Sequence, residues 1–291
     1  VCDEDTLQEE NAYLARAKLS RRQFNTLAAG VALTSMLPPL ANAMEVVEKE
    51  VKVTTPDGIA DCYLVHPAKG KHPAVLVWPD IVGLRPAFKT MGRRLAESGY
   101  VVLVVNPYYR NAAAPVVPEG ASFSDPDTRA LLMPMYRAIT PETNVTDAKA
   151  FVSFLDAQAM VDSSRKIGTT GYCMGGPMVM RTAAALPDRI GAGASFHGAS
   201  LVNESAASPH RLIPDIKANM LIAIAENDDE RQPEAKTVLK AEFDKTDVIA
   251  EIEVYKDTMH GWCALDSRVY HQAQADKAWE RLLNLFEKSL V

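Results

Sequence analysis

The sequence predicts an α/β domain built on a mainly parallel central sheet with helices on both faces, and three observations carry that prediction. From Met44 onward, short apolar runs alternate with amphipathic stretches, the order of elements that produces such a sheet. Two of the runs, Pro73–Trp78 and Tyr100–Asn106, are almost wholly apolar, as strands covered on both faces are. The first two strands are joined by a tight Asp57-Gly58 turn, which gives the sheet an antiparallel start.

The elements follow in order. Val46–Thr55 and Ile59–His66 form the opening hairpin, and Pro73–Trp78 is the first buried strand. A helix over Ala87–Ser98 stops at Gly99, the residue type that most readily ends one, and Tyr100–Asn106 returns as a strand. Residues 110–141 are rich in Pro, Ala, Ser and Asp with weak periodicity and read as a long irregular, functional or mobile segment. Helical spacing resumes near Thr143, with Val145, Ala148, Val152 and Leu155 on one face. Strands at Lys166–Tyr172, Ile190–Phe196, Leu221–Ala225 and Ile249–Tyr255 then alternate with helices at Met174–Ala185 and Pro233–Phe243. A final amphipathic helix covers Tyr270–Lys288. In sheets of this kind ligands bind beyond the carboxyl ends of the strands, so strand-end residues are where chemistry is expected.

Composition narrows the function classes. Hydrophobic residues make up 47% and charged residues 23% of the 291, enough for a large core without disulfides or metal. The net charge of −6 argues against nucleic acid, whose phosphates require a basic face. The four cysteines, at 2, 62, 173 and 263, show neither a CxxC pair nor Cys/His ligand spacing, so no metal site is expected. Residues 1–43 are of another kind. Arg21-Arg22 is followed by the apolar run Leu27–Leu33 and by Ala41-Asn42-Ala43, the order of a twin-arginine export signal with a small-residue cleavage site. The run is too short to span a bilayer, so no stable membrane insertion is expected. This reading divides the chain into a signal segment, 1–43, and one domain, 44–291, periplasmic or secreted; an ordinary amphipathic helix in a cytoplasmic protein is the alternative.

The strongest chemical signal is Gly171-Tyr172-Cys173-Met174-Gly175-Gly176, between a predicted strand and a predicted helix. It is the G-x-S-x-G nucleophile elbow with cysteine for serine: a strained turn lifts the nucleophile above the sheet, and the glycines let strand and helix pass closely. The helix that follows points its N-terminus at the sulfur and favours thiolate. A phosphate loop would need G-x-G-x-x-G or G-K-[ST], and neither is present. A thiol nucleophile needs a base, and the base an orienting acid, in the chain order nucleophile, acid, base. His260, after the last strand, is the expected base. His197, which also ends a strand, is the rival and is read as structural or pocket-lining. Among Glu226, Asp228 and Asp229 at the end of the 221–225 strand, Asp228 is the expected acid, with Asp229 the alternative that spacing leaves open.

With these residues in view, the chain from Met44 onward resembles the dienelactone hydrolase family, the carboxymethylenebutenolidases and their relatives of the α/β-hydrolase superfamily. The matching segments are Trp78-Pro79-Asp80-Ile81-Val82-Gly83-Leu84, Asn106-Pro107-Tyr108-Tyr109-Arg110, Gly171–Gly176, Ala225–Asp228 and Met259-His260-Gly261-Trp262. The resemblance implies the α/β-hydrolase fold, with Cys173 as nucleophile, Asp228 as acid and His260 as base. It also implies the backbone N–H groups of Ile81 and Met174 as oxyanion donors, and Arg110 as the arginine that binds a substrate carboxylate. Asp80 stands where the family carries a glutamate that helps turn the thiol into a thiolate. Ala264 stands where it carries a second arginine, with Arg268 further along as a stand-in. Tyr108, Tyr109 and Trp262 are expected to add apolar pocket wall.

The expected activity is hydrolysis of small esters or lactones through an acyl-thioester, with a small molecule as partner and no cofactor; the oligomeric state is left open. A non-catalytic binding protein of the same fold and a redox-sensing thiol protein are the alternatives.

Overall fold

In the computed structural model the described residues are Glu9, 12–15 and 42–291. The twin-arginine pair and the apolar run of the expected export signal lie outside them. Among the described residues eight strands form one sheet in the order β1-β2-β4-β3-β5-β6-β7-β8. They are β1 (Val46–Thr55), β2 (Gly58–Pro67), β3 (Ala74–Trp78), β4 (Val101–Val105), β5 (Ile167–Tyr172), β6 (Ile190–Phe196), β7 (Asn219–Ala225) and β8 (Ala250–Tyr255). The hairpin β1–β2 is antiparallel and joins β4 antiparallel, while the pairings from β4 through β8 are parallel.

The central strands are legible as local physics. β3 (AVLVW) and β4 (VVLVV) are buried along their whole length. Because strand side chains alternate between faces, Leu76, Val101, Leu103 and Val105 enter one core and Val75, Val77, Val102 and Val104 the other. Helices α3 (Pro141–Asp156), α4 (Gly175–Ala185) and α6 (Glu234–Phe243) cover the first face through Phe151, Leu155, Met178, Val179, Leu239 and Phe243. Helices α1 (Pro86–Glu97) and α7 (Gln272–Ser289) cover the second through Phe88, Met91, Leu95, Trp279, Leu282 and Phe286. Each such side chain taken fully from water contributes about 1.5–3 kcal/mol.

Two helices depart from the sequence reading. The segment expected to be irregular contains α2 (Pro126–Arg137), which begins with Pro126 after Asp125 and carries Pro134 inside it. The interior proline hides its periodicity from a pattern search, yet Leu132 is fully buried and Met133, Met135 and Tyr136 pack against the same core as Cys173 and Met174. A six-residue helix, α5 (Glu226–Arg231), follows β7 directly and carries the acidic run.

Candidate active site

Cys173 stands one residue beyond β5 with φ 53°, in the left-handed region that a side chain occupies only under constraint. The constraint is visible. Its N–H donates to the Phe196 carbonyl at 3.1 Å, and its own carbonyl accepts from the amides of Gly176 and Ala199, each at 3.1 Å. A Cβ on Gly171 would lie 2.2 Å from the Gly175 carbonyl oxygen, and one on Gly175 would lie 2.4 Å from that of Trp78. Only glycines let β5, α4 and the end of β3 come this close. The start of α4 therefore lies directly behind the sulfur, where its amide dipoles favour negative charge.

The carboxyl ends of β7 and β8 supply an acid and an imidazole. His260 Nδ1 is 2.8 Å from Asp228 Oδ2, and the His260 backbone N–H donates to Asn227 Oδ1, also at 2.8 Å. Neighbouring residues of one short helix thus hold both the ring and the backbone of His260. Burial alone would raise the Asp228 carboxyl, but the His260 ring and its hydrogen bond outweigh that and hold it below the ordinary carboxylate range. The neighbouring carboxylates are engaged elsewhere. Asp229 pairs with Lys236 at 2.6 and 2.7 Å, and Glu226 accepts from the Asp257 amide at 3.0 Å.

Beyond β3, Asp80 shapes the turn that presents Ile81: Oδ1 accepts from the Val82 amide and the Asp80 carbonyl from the Gly83 amide, both at 2.9 Å. Asp80 is itself gripped by Arg85 at 2.6 and 2.9 Å, and the same guanidinium grips Asp266 at 2.7 and 2.8 Å. Arg85 therefore ties the Ile81 turn to the loop that follows His260. Among the described residues, no carbonyl or side chain accepts from the amides of Ile81 or Met174. Removing the clamp by Arg85→Gln is expected to lower kcat about 10- to 100-fold with little change in KM, since misplaced catalytic groups lose rate rather than binding. Steady-state kinetics at the parent's pH optimum check this.

Three expected pocket residues are engaged by the protein's own groups. Tyr108 is fully buried, and its hydroxyl donates to the Ile81 carbonyl at 2.7 Å and lies 3.3 Å from Met174 Sδ, so it braces the two turns from beneath. Trp262 is also fully buried and stacks on Tyr255 at 4.6 Å within the opposite core. The Arg110 guanidinium is engaged by two carboxylates: Asp147 at 2.7 Å through two nitrogens and Asp57 at 2.5 and 3.1 Å. The Tyr109 hydroxyl donates to the same Asp147 at 2.7 Å, joining the hairpin, the β4 end and α3. Ala264 is buried, and Arg268 reaches Ser124 on the segment before α2 at 3.4 Å. Arg110→Ala is accordingly expected to cost about 3 kcal/mol of stability by stranding Asp147, whose side chain is 4% exposed, while leaving turnover of a neutral ester unchanged. Chemical denaturation alongside activity per folded molecule separates the two effects.

His197, read from the sequence as structural or pocket-lining, lies beside His260. Its ring is 1% exposed and sits 4.9 Å from that of His260 in an edge-to-face arrangement of 69°. Burial first, then the neighbouring His260, depress its protonation to about 3. The unfolded chain binds this proton below about pH 6.5 and the folded chain does not. Stability is therefore expected to fall as the pH drops from about 6.5 towards 3, by up to about 1.4 kcal/mol per pH unit from this group. Urea titrations across that range check the slope, which His197→Phe should remove.

Arg85, Asp266 and Asn227 escaped the sequence reading. Asn227, beside Asp228, could have been found from its position alone; the Arg85–Asp266 pair spans 181 residues, and no local pattern signals it.

This arrangement can be set beside known proteins. Residues 60–290 match the model of the dienelactone hydrolase family. A protein of Methylorubrum extorquens named "Putative carboxymethylenebutenolidase" is 27% identical over 288 residues, covering 94% of each chain. Among solved structures, a Klebsiella pneumoniae protein described as a "Putative Dienelactone Hydrolase" superposes with a TM-score of 0.72 at 22% identity, covering 84% of this chain and 99% of its own. The dienelactone hydrolase of Anabaena variabilis does so with a TM-score of 0.59 at 16% identity, over the same shares. These two likenesses bear on the fold, which is the α/β-hydrolase fold. With the family model spanning most of its length, the chain belongs to the dienelactone hydrolase family.

Proposed function

We propose that this protein hydrolyses small ester or lactone bonds through Cys173, His260 and Asp228, by way of an acyl-thioester. The observation that carries the reading is the His260–Asp228 hydrogen bond of 2.8 Å, at the same edge of the sheet as the strained turn bearing Cys173. With the ionised Asp228 accepting from Nδ1–H, Nε2 is the nitrogen that exchanges protons. His260 Nε2 takes the thiol proton as Cys173 Sγ attacks the carbonyl carbon. The amides of Ile81 and Met174 hold the oxyanion, which can be worth about 3 kcal/mol per donor. Collapse of the tetrahedral intermediate breaks the C–O bond, and the leaving alkoxide takes the proton from His260. Water then attacks the thioester carbonyl, His260 takes its proton, and Cys173 leaves and recovers it.

The surroundings favour neutral substrates. Arg110 is saturated by Asp57 and Asp147, position 264 is alanine, and Val117, Leu132, Met133 and Tyr136 add apolar surface to the core that holds Cys173. The redox alternative is disfavoured because burial pushes the Cys62 thiol up to about 12 and the Cys263 thiol well above its ordinary value, away from the thiolate that resolves a sulfenic acid. Residues 1–43 are proposed as an export leader whose removal leaves an N-terminus near Met44; mass spectrometry of protein from the native host tests that.

The deciding experiment for the activity is turnover of a neutral short-chain chromogenic ester before and after alkylation with iodoacetamide. Turnover lost in step with modification of Cys173 supports the reading. No turnover, or turnover that survives complete modification, removes it.

A further inference from the structure

His197 has no task in the mechanism above, yet it occupies a place that suits an imidazole badly. It stands one residue beyond β6 with φ 39°, a left-handed conformation, and among the described residues neither ring nitrogen has a hydrogen-bond partner. An apolar side chain would fill the same space without stranding two polar atoms away from water. Unfavourable conformations and unsatisfied polar groups of this kind gather where function requires them.

What surrounds the ring gives the reason. The backbone here is part of the floor under Cys173: the Phe196 carbonyl and the Ala199 amide both bond the Cys173 backbone, and the His197 N–H is fixed to the Ala223 carbonyl at 2.8 Å. From that fixed floor the side chain reaches His260, with ring centroids 4.9 Å apart and planes at 69°. The titratable groups that face it are Tyr172 from β5, at 6.1 Å, Asp228 from α5, and His260 itself. Burial keeps the Tyr172 phenol protonated, and the His260 ring helps keep Asp228 ionised. His260 is thus the neighbour whose charge changes during turnover.

We propose that His197 is a positioning residue for His260: its uncharged ring, set edge to face, steadies the imidazole plane that Asp228 holds through Nδ1 and stabilises the imidazolium formed whenever Cys173 gives up its proton. The proposal rests on His260 being the base. An aromatic ring attracts a cation lying over its face through its quadrupole, whereas a second imidazolium at this distance would repel it. Histidine therefore serves here only while neutral. Burial and the charge on His260 ensure that, by depressing its own protonation to about 3.

The test is a pH titration of the intact protein carrying labelled histidine, followed by nuclear magnetic resonance, with His197→Leu and His197→Phe for assignment and comparison. In the parent, the His197 signals should stay those of a neutral ring through the neutral range and shift in step with the protonation of His260. His197→Leu, which fills the space without a π face, should lower the pH at which His260 gives up its proton by about one unit and kcat about tenfold, with KM nearly unchanged. His197→Phe should recover most of both losses. A His197 ring that itself protonates near neutrality overturns the proposal. So does a folded leucine variant with the parent's pH dependence, whatever its rate, since that leaves only a space-filling role. If the leucine variant does not fold, the parent titration decides alone: His197 signals indifferent to His260 overturn the proposal. A parent that hydrolyses no ester removes the proposed function, and the resonance titration still judges the pairing of the two rings.

Discussion

Cys173→Ala is expected to lower ester turnover by at least about 10⁴-fold while leaving a folded protein. The rate loss follows from the role: a nucleophile that forms the covalent intermediate has no substitute, and only oxyanion stabilisation and substrate binding remain. The retained fold follows from how the turn is held. Three bonds that hold it, to Phe196, Gly176 and Ala199, come from backbone groups, and alanine keeps these. The left-handed strain at φ 53° is common to cysteine and alanine, so stability should change by no more than about 1 kcal/mol. Stopped-flow turnover and thermal unfolding of the same preparation check the two halves.

The second large effect separates two neighbouring carboxylates. Asp228→Asn is expected to lower kcat about 10³- to 10⁴-fold, because an amide facing Nδ1 favours the wrong tautomer of His260 and cannot balance the imidazolium. Asp229→Asn should change kcat by less than about threefold, since Asp229 is bound to Lys236, a pair near the surface and of modest energy. Equal losses from both substitutions would mean that the acidic run acts as a structural unit and that neither carboxylate orients the base. Circular dichroism of both variants guards against a trivial loss through unfolding.

How much of this was legible in the sequence depended on how local the cause was. β3 and β4 announce themselves as unbroken apolar runs, and the Asp57-Gly58 turn announces the hairpin. The turn at Cys173 was legible because its glycines are required within five residues of chain. Asp228 and Asp229 were not separable by spacing; they part only because α5 turns one towards His260 and the other towards Lys236. Arg110 shows a related limit. Its sequence neighbours say that it leaves β4 at the right edge of the sheet, but not that Asp57 and Asp147 meet it there. Trp262 illustrates the same limit: it follows His260 by two residues, yet the chain turns at Gly261, φ 101°, and the indole enters the opposite core. The Arg85 clamp joins distant segments and was invisible until the fold brought them together.

The central claim is a covalent acyl group on Cys173, and mass spectrometry of the trapped intermediate tests it most directly. The protein is mixed with a neutral nitrophenyl ester of a hindered acid, quenched in acid within the first turnover, digested and mapped. The account predicts one acyl group per chain, carried as a thioester on the peptide containing Cys173, released by hydroxylamine and absent from Cys173→Ala. Release of nitrophenol at the full rate with no acyl group on Cys173, or with the acyl group on another residue, would contradict it.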